Sequence, residues 1–366
     1  MLLERLHIQA VRNLDSVRLD PLAPINVLYG SNGAGKTSVL EAIHILGLAR
    51  SFRNPQIKPV INYQQSECTV FGRLSGAYAA EGGAVAMGVT RDRNSQYKIR
   101  INGLNVTSAA ELAEYLPLLT INADSFDLLT GAPASRRRYL DWSVFHVEPS
   151  FYAQWKRYQR CIKQRNSVLR RDKIDSQVLS TWTKELVQVG EEVGRMRQQQ
   201  FLKLAQGFLE LASQLTDSLD GIKLRYHQGW DKEKPLSEAL EQTLSSDIER
   251  GFTHVGPHRA DLKIKLGSVN AVDVLSRGQI KLAVCALKLA QGRLLGELTE
   301  RKCVYLIDDL PSELDSGHLR AFCHLLQGLG SQVFVTCVDQ TELLDKWSDS
   351  GQVALFHVEH GQIVAG

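Results

Sequence analysis

Apolar and polar positions along the chain follow two rhythms. Residues 25–29, INVLY, are a short apolar run that predicts a buried strand, and apolar positions at Val39, Leu40, Ile43, Ile45 and Leu46 then predict a helix. Residues 67–101 alternate apolar and polar between glycine turns, which predicts an antiparallel sheet. From 151 to 169, and again through Leu179, Trp182, Leu186, Val189, Val193, Met196, Leu204, Phe208, Leu211 and Leu215, apolar residues recur mostly at steps of three and four. That spacing predicts two long amphipathic helices, and the polar break RRDKIDSQ between them predicts an antiparallel hairpin. Residues 275–291, LSRGQIKLAVCALKLAQ, start as a glycine-containing turn and run into a helix. The segment 302–315, KCVYLIDDLPSELD, is a continuous apolar strand ending in carboxylates, as a buried parallel strand would deliver them.

The expected architecture is α/β: a head with a mixed sheet, plus an inserted, mainly helical lobe or arm. Its expected boundaries are 1–122 for the first part of the head, 123–250 for the helical lobe and 251–366 for the return to the head. No internal repeat or low-complexity linker interrupts them.

Composition narrows the class without naming a function. The 366 residues are 43% hydrophobic and 23% charged, within the globular range. The longest apolar stretches, such as 282–289, are far shorter than the roughly 18 to 20 residues that a bilayer span requires. The opening MLLERLHIQA carries Glu4 and Arg5 where an export signal needs its apolar run, so a cytoplasmic protein with no membrane partner is expected. The six cysteines are scattered, with no metal-like spacing, and are expected to be reduced and buried. A net charge of +3 is too small to imply nucleic acid, which leaves that question to local clustering.

The chemistry is concentrated in three places. Gly30 to Thr37 fits G-x-x-x-x-G-K-T between the strand and the helix. Glycines at 30, 33 and 35 let the backbone curl its N–H groups around a phosphate, Lys36 reaches the β and γ phosphates, and the Thr37 hydroxyl ligates magnesium. A chance glycine turn before a helix is the competing reading, and the flanking strand and helix disfavour it. At the end of the second strand Asp308 is placed to hold magnesium through water, and Asp309 to orient an attacking water. An acidic turn is common on its own; together with the phosphate loop it is not. At the third place, a helix starting on Ser276 and Gly278 offers N–H groups to an anion, although an ordinary helix cap explains Leu275 to Gln279 better when that stretch is taken alone.

The set GSNGAGKT, LSRGQ and LIDDLPSELD resembles the head of ABC-type ATPases. More narrowly, VRNL, GAPASRRRYLDW, KQRNSVLR, GPHRADL and LSRGQIKLAVCALKLAQG, in that order and spacing, resemble the RecF family of bacterial recombination mediators over essentially the whole chain. The resemblance implies that ATP is held by Gly30, Ser31, Asn32, Gly33, Ala34, Gly35, Lys36, Thr37 and Ser38, with Mg2+ on Thr37 and Asp308 and with Lys36 and Asp309 catalytic. It implies that Ser276, Arg277, Gly278 and Gln279 of one molecule cap the γ phosphate on another, closing a homodimer. The implied function is ATP-dependent binding of single-stranded, duplex and gapped DNA in recombinational repair and replication restart, helping RecA to load together with RecO and RecR. Asp309 stands where most ABC ATPases carry glutamate, so hydrolysis is expected to be slow and DNA-stimulated. Thr336 and Cys337 stand where a switch histidine is usual, and TINADSFDLL lacks a sensing glutamine and has Ala123 where the family often has proline.

Between Lys156 and Lys173 eight basic residues face one acid, interleaved with Trp155 and Tyr158, and Arg136 to Arg138 stand upstream. Arg136, Arg137, Lys156, Arg157, Arg160 and Lys163 are the candidate DNA contacts, against the alternative of a solvated helix face. His258 and Arg259 in GPHRADL are left open between DNA, a subunit and a plain loop end. The alternative function, the nucleotide-binding subunit of an ABC transporter, shares the phosphate loop and signature but has no place for a basic helical insertion; a P-loop kinase has no use for LSRGQ.

Overall fold

The alternating N-terminal segment forms a hairpin of β1 (Leu2–Val11) and β2 (Leu14–Leu19). There follow β3 (Ile25–Tyr29), α1 (Lys36–Leu48), β4 (Glu67–Ser75), β5 (Val85–Asp92), β6 (Tyr97–Ile101), β7 (Leu104–Val106), α2 (Ala109–Tyr115) and β8 (Leu118–Ile121). The computed structural model describes residues 2–76 and 83–365, so part of the expected β4 to β5 turn lies outside the described residues. The helical middle holds α3 (Asp127–Thr130), α4 (Pro133–Val147), α5 (Phe151–Leu169), α6 (Ser176–Leu215), β9 (Ile222–His227), α7 (Leu236–Gln242), α8 (Leu244–Arg250), β10 (Asp261–Leu266), β11 (Val269–Asn270) and α9 (Arg277–Thr299). The chain closes with β12 (Val304–Ile307), α10 (Ser316–Gly328), β13 (Gln332–Cys337), α11 (Thr341–Leu344), β14 (Val353–Glu359) and β15 (Gln362–Ala365).

Packing divides these elements into two units, Met1–Ser125 with Gln214–Thr216 and Cys285–Gly366, and Phe126–Ser213 with Asp217–Val284. The expected return to the head at residue 251 therefore shifts to 285. The cause is sheet pairing: β10 pairs antiparallel with β9 and β11, so it stays with the inserted unit, as do the first turns of α9.

In the first unit two six-stranded sheets enclose α1. One is mixed, in the order β15-β14-β3-β13-β12-β8, and parallel apart from β15; the other is antiparallel, in the order β2-β1-β4-β5-β6-β7. Leu3, Ile8, Val70 and Met87 of the antiparallel sheet share one buried cluster with Val39, Ile43 and Leu46 of α1 and with Leu306 and Phe334 of the mixed sheet. A helix buried on nearly every side is apolar on most of its surface, and the polar groups of α1 that are buried find partners, Glu41 on Arg12 and His44 on the Arg50 carbonyl. Gln332 ties the layers together at their edge, accepting from the Leu3 amide at 2.8 Å and donating to the carbonyls of Leu3 at 2.9 Å and Ala23 at 3.0 Å. All six cysteines are buried free thiols.

The second unit is built on the α5 and α6 hairpin. Arg165 meets Thr183, Arg160 lies over Trp182, and Arg197 lies over Trp155, so one index falls as the other rises and the helices are antiparallel, as the spacing predicts. Its interior holds two ion pairs, Arg165 with Asp247 at 2.7 Å, both fully buried, and Arg197 with Asp141 at 2.7 Å. Arg165 was one of the eight residues counted as a basic face; it is instead a core residue of this unit.

Two histidines are held neutral by burial. His44 sits in α1 with Nδ1 donating to the Arg50 carbonyl, and burial pushes it down to about 4. His258 donates from Nε2 to the Thr253 carbonyl at 3.0 Å, which leaves Nδ1 to accept from Tyr158 at 2.6 Å, and burial pushes it, too, down to about 4. Both folded values lie below the ordinary 6.5, so the unfolded chain binds protons more readily between those limits. Stability present above pH 6.5 is thus lost as pH falls toward 4, at about 1.4 kcal/mol per pH unit for each group. Urea midpoints measured at pH 7 and pH 5 should fall with acid, and a His44→Asn variant should show a shallower fall; equal falls in both proteins would remove His44 from the account.

Candidate nucleotide site

The loop between β3 and α1 has the backbone its glycines predicted. Gly30 leaves the strand at φ 142°, and a Cβ there would stand 2.2 Å from the Val358 carbonyl oxygen, so the crossing against β14 is open only to glycine. Gly33 and Gly35 are also at positive φ, 81° and 119°. Gly35 precedes α1 and supplies no side-chain cap, leaving the first-turn N–H groups to whatever anion approaches. Lys36 folds back over the loop, donating from Nζ to the carbonyls of Gly30 at 2.6 Å and Ser31 at 2.9 Å.

Parallel pairing of β12 with β13 brings the acids to this loop. Asp308 Oδ1 accepts from Thr37 Oγ1 at 2.8 Å and from Thr336 Oγ1 at 2.9 Å, and the Asp309 amide donates to Thr336 Oγ1 at 2.8 Å. Asp309 itself is at φ 55°, a left-handed conformation rare for a non-glycine residue, and its Oδ2 accepts from Ser312 at 2.9 Å. Thr336, noted in the sequence only as the residue that is not a histidine, thus completes the oxygen cluster. Sequence reading also gave no role to Asn13. Its amide donates to the Ala34 carbonyl at 3.0 Å and its oxygen accepts from Ser38 at 3.0 Å, so the β1 to β2 turn braces the phosphate loop. Arg12 beside it forms a two-pronged pair with buried Glu41, at 2.8 and 3.0 Å. The motif VRNL was visible in the chain; the strand pairing that carries it to the loop was not.

Arg12, Asn13, Lys36, Thr37, Ser38, Asp308, Asp309 and Thr336 line a cleft of about 1180 Å³, which also takes in Arg53, Lys58, Tyr63, Gln64 and Arg93. Arg93 fixes the far wall, donating to the carbonyls of Gln65 and Asn62, each at 2.8 Å.

In the second unit the signature forms a reciprocal cap at the start of α9. The Ser276 amide donates to Gln279 Oε1 at 2.8 Å and the Gln279 amide to Ser276 Oγ at 3.3 Å. Arg277 and Gly278 are exposed, and nothing lies within 4 Å of where a Gly278 Cβ would be.

The candidate DNA contacts separate into two groups. Arg136 is paired to Asp261 at 2.7 Å and donates to the Gly131 carbonyl, and Arg137 donates to the Ala260 carbonyl at 2.8 Å. Both tie α4 to the chain at the start of β10 and are half-buried. Lys156, Arg157, Arg160 and Lys163 are exposed on one side of α5, with Arg157 loosely paired to Glu185 at 3.5 Å. His258 is an interior bracket of the unit, while Arg259 is exposed over the Phe252 ring.

Residues 2–363 match the model of the RecF/RecN/SMC N terminal domain. Proteins named DNA replication and repair protein RecF from Pseudomonas syringae pv. syringae (strain B728a) and Pseudomonas entomophila (strain L48) are each 52% identical over 363 residues, covering 99% of this chain and 98% of theirs. The chain belongs to the RecF family. A solved structure of the recombination mediator RecF with ATP, 24% identical, superposes with a TM-score of 0.85 over 100% of this chain and 97% of its own. An Smc head domain from Pyrococcus furiosus, 14% identical, superposes at 0.60 over 100% and 96%. The fold is thus that of the RecF and SMC head ATPases, as expected. Among the described residues no helix is long and apolar enough to cross a membrane.

Proposed function

We propose that this RecF-family chain is an ATP-dependent DNA-binding ATPase of replication and recombinational repair that works as an ATP-closed homodimer. The name carried by its relatives supports the cellular role. The observation that carries the nucleotide reading is the convergence of Thr37 and Thr336 on Asp308 beside a lysine already folded over the phosphate loop. Phosphate oxygens replace the loop carbonyls as partners of Lys36, while the N–H groups of the loop and first turn of α1 hold the rest.

The oxygen cluster fits Mg2+, which takes one or two carboxylates and completes its shell with phosphate and water oxygens. Thr37 and Asp308 would hold it, and when bound it neutralises charge on the β and γ phosphates. Asp309, steadied by Ser312, orients the attacking water. Its short side chain and left-handed backbone support slow turnover.

A Cβ at Gly278 would meet nothing within 4 Å, so the first turn of α9 is open in its own unit, which supports a surface kept bare for another molecule. In this reading Ser276, Arg277, Gly278 and Gln279 cap the γ phosphate bound to a second copy. The exposed face Lys156, Arg157, Arg160 and Lys163 meets DNA phosphates, single-stranded, duplex or gapped, giving strong salt dependence and little sequence preference. RecO, RecR and RecA are carried over from the family as partners in loading RecA, and the cytoplasm as the location. The transporter-subunit alternative is set aside, since the family match runs through the helical insertion.

Sedimentation velocity tests the proposal. With ATP the wild-type protein should shift from monomer to dimer and retain DNA, and Lys36→Ala should remain monomeric and release it. A Lys36→Ala protein that dimerises with ATP as wild type does would overturn the ATP-closed dimer.

A further inference from the structure

The outer face of the antiparallel sheet in the first unit is unlike an ordinary solvated face. Strand register places Arg18, His7, Phe71, Gly88 and Arg100 in one row across five strands, about 19 Å at the usual strand spacing. The next row on the same face is Ser16, Gln9, Thr69, Thr90 and Lys98, and Arg5 with Arg73 forms the start of a third. Phe71 is 42% exposed at the centre of this face, with Thr69 and Arg73 as its strand neighbours and Gly88 opposite. Because position 88 has no side chain, a shallow cavity of about 390 Å³ opens beside the ring, lined by Phe71, Thr69, Thr90, Gly88, Lys98 and Arg100.

Charge selects the occupant. Arg18, Arg73, Lys98 and Arg100 have no carboxylate partner among the described residues; the acids on the same face are Glu67 and Asp92, opposite each other at its end, and Asp20, which engages Arg5 at 3.1 Å. A lone exposed aromatic ringed by cations and hydroxyls does not suit an apolar protein partner, which needs a contiguous apolar patch. It does suit a ligand with flat rings and a regular negative backbone: a base stacks on the ring while cations either side follow the phosphates.

We propose that the outer face of this sheet binds single-stranded nucleic acid, with one base stacked on Phe71 in the Gly88 hollow and the phosphates held by Arg18, Arg73, Lys98 and Arg100. Duplex DNA cannot use the hollow, because its bases are already stacked on one another. This site shares only its ligand class with the α5 face, and the two are separable.

The test uses the full chain with short fluorescein-labelled oligothymidylate and, separately, a labelled duplex, read by anisotropy at fixed salt. Phe71→Ala should weaken the single strand about 5- to 100-fold, the loss expected from one base–aromatic stack, and leave the duplex unchanged. Phe71→Tyr should restore binding, and Lys98→Glu with Arg100→Glu should weaken it further. Phe71 is exposed, so circular dichroism melting of each variant should match wild type. Unchanged single-strand affinity in Phe71→Ala overturns the proposal, as does equal loss for single strand and duplex, which would describe a nonspecific charged surface. A Lys156→Glu, Arg160→Glu variant should weaken duplex binding and keep the Phe71-dependent part of single-strand binding; loss of that part in this variant would also overturn the proposal.

Discussion

Ser276→Arg and Lys36→Ala proteins, each nearly inactive alone, should together recover up to about half of wild-type ATP hydrolysis when mixed in equal amounts. The figure follows from the symmetry of a closed dimer. Neither chain closes a working dimer with itself, so the active dimers are mixed, and each has one intact site of two, made from the phosphate loop of the Ser276→Arg chain and the signature of the Lys36→Ala chain. Its other site carries both lesions. Each variant by itself is expected to lose about 100- to 1000-fold, the loss that follows removal of a preorganised donor to developing phosphate charge. Ser276 is exposed and its cap with Gln279 is local, so the arginine alters the surface of α9 rather than its packing. Hydrolysis that rises with the square of protein concentration at low concentration would agree. A mixture no more active than its components, with wild-type turnover independent of concentration, would mean that each monomer works alone and would end the shared-site reading.

Asp247→Ala should destabilise the helical unit by about 3–5 kcal/mol, a large part of the stability of any ordinary domain. Arg165 is fully buried, and its Nη1 donates to Asp247 at 2.7 Å and to Thr253 at 2.6 Å. The other Asp247 oxygen accepts from the His254 amide at 3.0 Å and from its ring at 2.7 Å. Removing the carboxylate strands a guanidinium in a low-dielectric interior and unmakes several hydrogen bonds at once. The cost lies in the orphaned charge rather than in the value of the pair. The double variant Arg165→Met, Asp247→Ala should therefore recover much of the loss in urea denaturation. A single variant that loses less than about 1 kcal/mol would show that water reaches Arg165 and that the pair does not organise this unit.

The same residue shows where sequence reading stops. Arg165 sits in a dense basic run and looked like Lys163 two positions before it. Helical geometry turns one into the interior and the other to solvent, and only Asp247, 82 residues away, makes the interior tolerable for a charge. Arg136 and Arg137 have partners that the local sequence does not announce for the same reason: Asp261 and Ala260, at and just before the start of β10, arrive more than a hundred residues later. The domain boundary at 251 failed because β10 looks like any short amphipathic strand until its partner β9 is known.

What the sequence determined by itself is the set of features that local backbone chemistry dictates. Glycines at positive φ define the phosphate loop, a period near 3.6 defines α5 and α6, and the ordered motifs define the family. What only the tertiary structure decided is which distant groups meet. Thr37 and Asp308 are 271 residues apart, and Asn13 reaches Ala34 through a hairpin turn. Strand pairing also lines Phe71 up with Gly88 and Arg100 across an open face. Turn geometry and helix period are properties of a few neighbouring residues, whereas strand register, burial and charge pairing depend on the whole chain having folded.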